Sequence, residues 1–148
     1  MSAAQQLLYS DKNPRGFSIS EFLHAVCESS RQIFGKEVTI KIDADPGQLS
    51  NEVSMPLALI LNELLTNAAK YGANGEGKVN ISVSLRRSQG KVVLCVGDNG
   101  PGFEANLTAR RSSGLGLVAG LARQLLGTFA VERGAGARCV LTFPERTH

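Results

Sequence analysis

Residues 57–72 read Leu-Ala-Leu-Ile-Leu-Asn-Glu-Leu-Leu-Thr-Asn-Ala-Ala-Lys-Tyr-Gly. Leu57, Ile60, Leu61, Leu64, Leu65 and Ala68 recur at the three- and four-residue spacing that lines one side of an α-helix. Glu63, Asn67, Lys70 and Tyr71 follow the same spacing, so helical geometry puts all four on one face, opposite the leucine stripe. Ser54, with Pro56 near the first turn, is expected to open this helix, and it runs to Tyr71. A carboxylate, a carboxamide oxygen and an ammonium on one stripe suit a hydrated magnesium ion and a phosphate. A solvated polar face has the same pattern and is the simpler reading of this helix alone.

Working outward, Ser18 or Ser20 caps a helix to about Phe34, ended by Gly35. Val38, Ile40 and Ile42 alternate with polar residues as in a half-buried strand, and Asp45-Pro46-Gly47 is a turn. Beyond the loop 72–77, Val79 to Leu85 and Val92 to Val96 read as a hairpin turning at Ser88-Gln89-Gly90. A second long helix is expected from Gly114 to Leu126. Phe129 to Val131 and Cys139 to Phe143 then form a last hairpin. The order α, β, α, β, β, α, β, β predicts an α/β fold: a two-layer α/β sandwich in which three helices cover a mixed, mostly antiparallel sheet.

The whole chain has 148 residues and 15.7 kDa, enough for one domain. Residues 1–17 read as a tail or linker, with Gln5 to Tyr9 fitting the end of a helix from a longer dimerisation element; 18–148 is the domain. Hydrophobic residues at 43% and charged residues at 20% fit a globular protein and exclude disorder. A net charge of +3 is too mild to argue for nucleic acid, and 5% aromatics without Trp exclude a base-stacking surface. Cys27, Cys95 and Cys139 are far apart and read as reduced core thiols of a cytoplasmic protein. No apolar run approaches a membrane span, and residues 1–13 lack the pattern of a secretory signal.

Glycine is the compositional anomaly: of 16, nine fall between Gly97 and Gly136. Two segments there bear on chemistry. Asp98-Asn99-Gly100-Pro101-Gly102 follows an apolar strand and places an acid beside exposed backbone, where it can accept a hydrogen bond from an amine such as that of adenine; a plain β-turn has the same composition. Gly114-Leu115-Gly116-Leu117 opens a helix after Ser112-Ser113, where backbone amides and the positive helix end favour a phosphate; close helix packing would also want these glycines. A dinucleotide fingerprint is excluded, because no apolar strand precedes this segment. Gly72, Gly75, Gly77 and Gly90 read as loop and hairpin glycines, and Gly134 and Gly136 as the last turn.

Taken in order, Asn62-Glu63-Leu64-Leu65-Thr66-Asn67, then Asp98-Asn99-Gly100-Pro101-Gly102-Phe103, then Gly114-Leu115-Gly116-Leu117 resemble the N box and two glycine boxes of the GHKL (Bergerat-type) ATP-binding fold. That superfamily includes sensor histidine kinases, anti-sigma-factor serine kinases, type II topoisomerases, mismatch-repair ATPases and a heat-shock chaperone. The resemblance covers about Ser18 to Pro144. It is nearest to the catalytic domain of bacterial sensor histidine kinases in the divergent branch near the HWE group, where the phrase running from Leu59 to Ala68 is typical.

The resemblance implies Mg²⁺ and ATP as cofactors. It makes Asn67 a ligand of Mg²⁺, Lys70 a phosphate contact, Tyr71 a neighbour of the nucleotide and Asp98 the acceptor of the adenine amine. Gly100 and Gly102 would be lid hinges, and Gly114, Leu115, Gly116 and Leu117 the phosphate segment. Glu63 matches a general base, or orders a metal-bound water. Arg110 and Arg111, in a lid from about Phe103 to Ser113, would help neutralise the γ-phosphate; a solvated loop is the equal alternative.

The implied activity is ATP-dependent protein histidine kinase, with ADP as product. The acceptor histidine lies on a partner phosphoacceptor domain absent from this chain, and a response regulator follows it. The isolated domain is expected to be a monomer. Alternatives are an anti-sigma-type serine/threonine kinase with Glu63 as base, or a non-catalytic adaptor. The sequence departs from the pattern at Ala137, where Gly134-Ala135-Gly136-Ala137 lacks a threonine, and at Asn62, where the HWE signature has histidine. His24, followed by Ala25, and the terminal His148 read as incidental.

Overall fold

The structure is a computed structural model and describes residues 16–35, 37–72, 77–100, 115–132 and 136–145. Strand β1 (Phe17–Ser18) leads into helix α1 (Ile19–Phe34), where the Ser18 hydroxyl accepts the Glu21 amide at 3.3 Å. A polar side chain thus satisfies one of the orphan amides of the first turn, as expected of a serine cap. Gly35 ends α1 at φ 91°, a conformation that only glycine adopts cheaply.

Strand β2 (Val38–Ala44) follows, then β3 (Gln48–Leu49), which pairs antiparallel with β1. These two-residue strands are too short for any alternation in the sequence to reveal. They clasp the start of α1: Ile19 donates its amide to the Gly47 carbonyl at 3.0 Å.

Helix α2 (Asn51–Tyr71) begins three residues before Ser54, correcting the expected start. Ser50 is the cap position, and its carbonyl accepts the Val53 and Ser54 amides. The Ser50 hydroxyl makes no capping bond. Ser54 instead lies inside the helix and donates its hydroxyl to the same carbonyl at 2.9 Å.

Strands β4 (Val79–Ser88) and β5 (Lys91–Asp98) form the predicted hairpin. Gln89 at φ 51° and Gly90 at φ 76° make the two-residue turn whose twist matches the strands. Helix α3 (Gly116–Gln124) ends two residues before the expected Leu126, and the expected start at Gly114 lies outside the described residues. It ends because Leu126 takes φ 60° and the Gly127 amide returns to the Ala122 carbonyl at 2.9 Å. Strands β6 (Thr128–Glu132) and β7 (Arg138–Pro144) complete the chain.

The main sheet has the order β2-β4-β5-β7-β6; β2 and β4 run parallel and every other pair antiparallel. The parallel pair needs a crossover, and α2 supplies it. Val79, Ile81, Val83 and Leu85 of β4, with Val92, Leu94 and Val96 of β5, point to one face and are buried. Leu57, Ile60, Leu61, Leu64 and Leu65 of α2 and Phe22, Leu23 and Val26 of α1 are buried in the same core. This is the predicted two-layer sandwich with a mixed, mostly antiparallel sheet under three helices.

Cys27 is buried, and desolvation pushes its thiol up to about 12. Cys139 is buried as well. Cys95 corrects the expectation of three core thiols. It lies opposite Ser84 and Val140 on the other sheet face and is only half-buried.

At one end of the sheet Asp45 accepts the Arg87 amide at 2.7 Å and the Arg86 guanidinium at 3.1 Å. The Arg87 amide foremost, then Arg86, holds the Asp45 carboxyl below its usual range. Arg86 also pairs with Asp43, and Arg87 with Glu145.

Candidate functional site

The site forms where the C-terminal end of α2 meets the C-terminal end of β5. An apolar strand drives β5 through the core, and its last residue, Asp98, emerges half-buried at the rim. Its Oδ1 accepts the Gly100 amide at 3.0 Å and the Ala137 amide at 3.4 Å, and its own amide donates to the Ala137 carbonyl at 2.9 Å. A carboxylate bonded this way cannot swing freely, so its direction is set before any ligand arrives.

Three glycines make room for this residue. A Cβ on Gly72 would stand 2.6 Å from Asp98 Cγ, and one on Gly136 would stand 1.9 Å from the Asp98 carbonyl oxygen. A Cβ on Gly100 would stand 2.5 Å from the Gly72 carbonyl carbon. Each is closer than real side-chain carbons approach, so the backbone here packs at a distance only glycine allows. By sequence alone Gly72 reads as a loop glycine and Gly136 as part of the last turn. The structure places both against Asp98.

Gly72 directly follows Tyr71, so this packing fixes the end of α2 relative to Asp98. Lys70 and Tyr71 lie within the last turn, and Asn67 is about 7.5 Å back along the helix at 1.5 Å per residue. Lys70 is exposed and Tyr71 and Glu63 are half-buried. Asn67 is only 3% exposed. That corrects the expectation of a polar face wholly opposite the leucines, because the solvated-face reading does not hold at this position. Burying a carboxamide costs free energy unless polar partners serve it, so a buried asparagine marks a polar requirement.

Leu115 is half-buried, and Gly116 and Leu117 open α3 exposed. Among the described residues a Cβ on Gly116 would meet nothing within 4 Å, so close packing against them does not account for this glycine. The first turn of α3 carries no acidic side chain, which leaves its positive end uncompensated by the helix itself. Gly102, Arg110, Arg111 and Gly114 lie outside the described residues.

The described residues hold no group of three or more His, Cys, Asp or Glu able to bind a metal. Glu63 and Asn67 offer hard oxygen donors one helical turn apart. A cation seated there would take its remaining ligands from water and phosphate, as Mg²⁺ does. No helix among the described residues is long and apolar enough to cross a membrane.

Residues 52–147 match the family described as histidine kinase-, DNA gyrase B-, and HSP90-like ATPase. The nitrate/nitrite sensor protein NarX of Escherichia coli K12 is 30% identical over 128 residues, which is 84% of this chain and 21% of that protein. The chain therefore spans about a fifth of that relative's length. The blue-light activated histidine kinase EL346 of Erythrobacter litoralis superposes with a TM-score of 0.83 at 21% identity, covering 95% of this chain and 46% of that one. The ATP-binding domain of PrrB from Mycobacterium tuberculosis superposes at 0.71 with 24% identity, covering 88% and 96%.

Proposed function

Because the chain belongs to the histidine kinase-, DNA gyrase B-, and HSP90-like ATPase family, we propose that it is the ATP-binding catalytic unit of a sensor histidine kinase. The observation that carries this reading is the preset carboxylate of Asp98, packed against Gly72 at the end of α2. An acid fixed at the end of a strand suits the exocyclic amine of adenine, a donor that must be met from one direction.

In this reading the nucleotide lies from Asp98 along the end of α2 towards α3. Tyr71 borders it, and Lys70 contacts its phosphates. The first amides of α3, from Leu115 to Leu117 with Gly114 before them, receive phosphate oxygens at the positive helix end. Gly116 carries no side chain to obstruct that approach. Asn67, with Glu63 one turn before it, would hold Mg²⁺, which when bound neutralises phosphate charge. Arg110 and Arg111 add positive charge for the γ-phosphate. The work of the chain is positioning and charge neutralisation, and the nucleophile is an imidazole on a phosphoacceptor domain outside it. A response regulator would then receive the phosphoryl group.

One observation favours a second reading. Glu63 sits half-buried four residues before Asn67, where a general base would suit a serine/threonine kinase of the anti-sigma type. Labelling separates the two. The chain is incubated with its phosphoacceptor domain, Mg²⁺ and ATP labelled in the γ position. Acid-labile, base-stable label on a histidine is expected; acid-stable label on serine or threonine would overturn the histidine reading in favour of the second.

A further inference from the structure

We propose that Asn99 is a positioning residue that lets strand β5 leave the sheet at Asp98. The β4–β5 ladder ends with Ile81 opposite Asp98. Continued in register, the next pair would be Asn80 and Asn99. At that point the backbone has already turned: Gly100 is buried and passes so close to Gly72 that a Cβ would meet its backbone at 2.5–2.6 Å. The Asn80 amide would therefore lose its strand partner. The Asn99 side chain replaces it, its Oδ1 accepting the Asn80 amide at 2.9 Å.

Two adjacent side chains thus both accept from the backbone. Asp98 takes the Gly100 amide and closes the turn, while Asn99 takes the Asn80 amide and ties the turn to the first residues of β4. A strand end without this substitute has two options. It can leave an amide to water, or it can extend the ladder by one pair. Extension would draw Asn99 back to the sheet, carry Gly100 away from Gly72 and re-aim Asp98. The acceptor needs the length of Asn or Asp; alanine has none and serine is a bond shorter. Asn99 touches no nucleotide in this account and acts through Asp98.

The inference rests on the reading of Asp98 as the adenine acceptor, and the test separates the two. Affinity for Mg²⁺-ATP is measured by calorimetry for the wild-type chain, Asn99→Ala, Asn99→Asp and Asp98→Asn, with exchange of the Asn80 amide followed by NMR. Asn99→Ala is expected to lose Asn80 protection and weaken binding about fivefold, with melting temperature nearly unchanged. Asn99→Asp keeps the acceptor and is expected to return both to within about twofold of wild type. The inference is overturned if Asn99→Ala binds as wild type while Asp98→Asn is weakened, or if the alanine and aspartate variants are equally impaired. If Asp98→Asn binds as tightly as wild type, the adenine reading fails and this inference falls with it.

Discussion

Asp98 and Gly72 are in backbone-to-side-chain contact so close that no β-carbon fits between them: one placed on Gly72 would lie 2.6 Å from Asp98 Cγ and 2.5 Å from the Ala68 carbonyl oxygen. Gly72 has φ −98°, which suits any residue, so space rather than backbone conformation demands the glycine here. Gly72→Ala is predicted to push the end of α2 away from β5. Overpacking of this kind costs about 1–3 kcal/mol, and the same displacement should weaken nucleotide binding. Thermal melting and an ATP titration on one sample check both; an alanine variant with unchanged melting and affinity would show that the contact relaxes without consequence.

Asn67 tests the metal end of the site. Asn67→Ala is expected to lower affinity for ATP in Mg²⁺ towards the level measured in EDTA, because the carboxamide oxygen assigned to the cation is gone. Affinity in EDTA itself should change little. Because Asn67 is buried, circular dichroism must first show the variant folded. An unchanged ratio of the two affinities contradicts the assignment.

The fold was readable where the signal is periodic and local. The leucine stripe of α2, the alternation of β4 and β5 and the cap at Ser18 each state their structure within a few residues. β1 and β3, at two residues each, carry no period, and only their pairing across the chain creates them. The site was legible by residue type at Asp98 and Asn67 and illegible at its supports. Gly72 and Gly136 look like turn glycines until the structure brings them against Asp98 from 26 and 38 positions away in sequence. Asn99 looks like any turn asparagine until Asn80 lies beside it. Close approach between distant segments is a property of packing that no local pattern encodes.

The cluster around Asp45 predicts an acid response. Its carboxyl is held below the ordinary value of 3.8, first by the Arg87 amide and then by Arg86. A depressed folded-state value means the stabilisation is present above the unfolded value and is lost as pH falls through the folded one. Asp45→Asn should therefore melt at a lower temperature than wild type near neutral pH, and the gap should close below about pH 4. Melting curves from pH 7 to pH 2.5 check this. A gap that stays constant across the range would mean that the Asp45 charge is not what ties the turn to β4.

The contact between Asp98 and the adenine amine is the interaction on which the proposed site turns. Titration of Mg²⁺-ATP into the wild-type chain and Asp98→Asn by isothermal calorimetry tests it most directly. The asparagine keeps an oxygen for the Gly100 and Ala137 amides, so the fold should survive, while the charge and one acceptor for the adenine amine are lost. Saturable binding to the wild type and at least about a tenfold weaker affinity for the variant are expected. Equal affinities, or no binding of ATP by the folded wild-type chain, would contradict this contact.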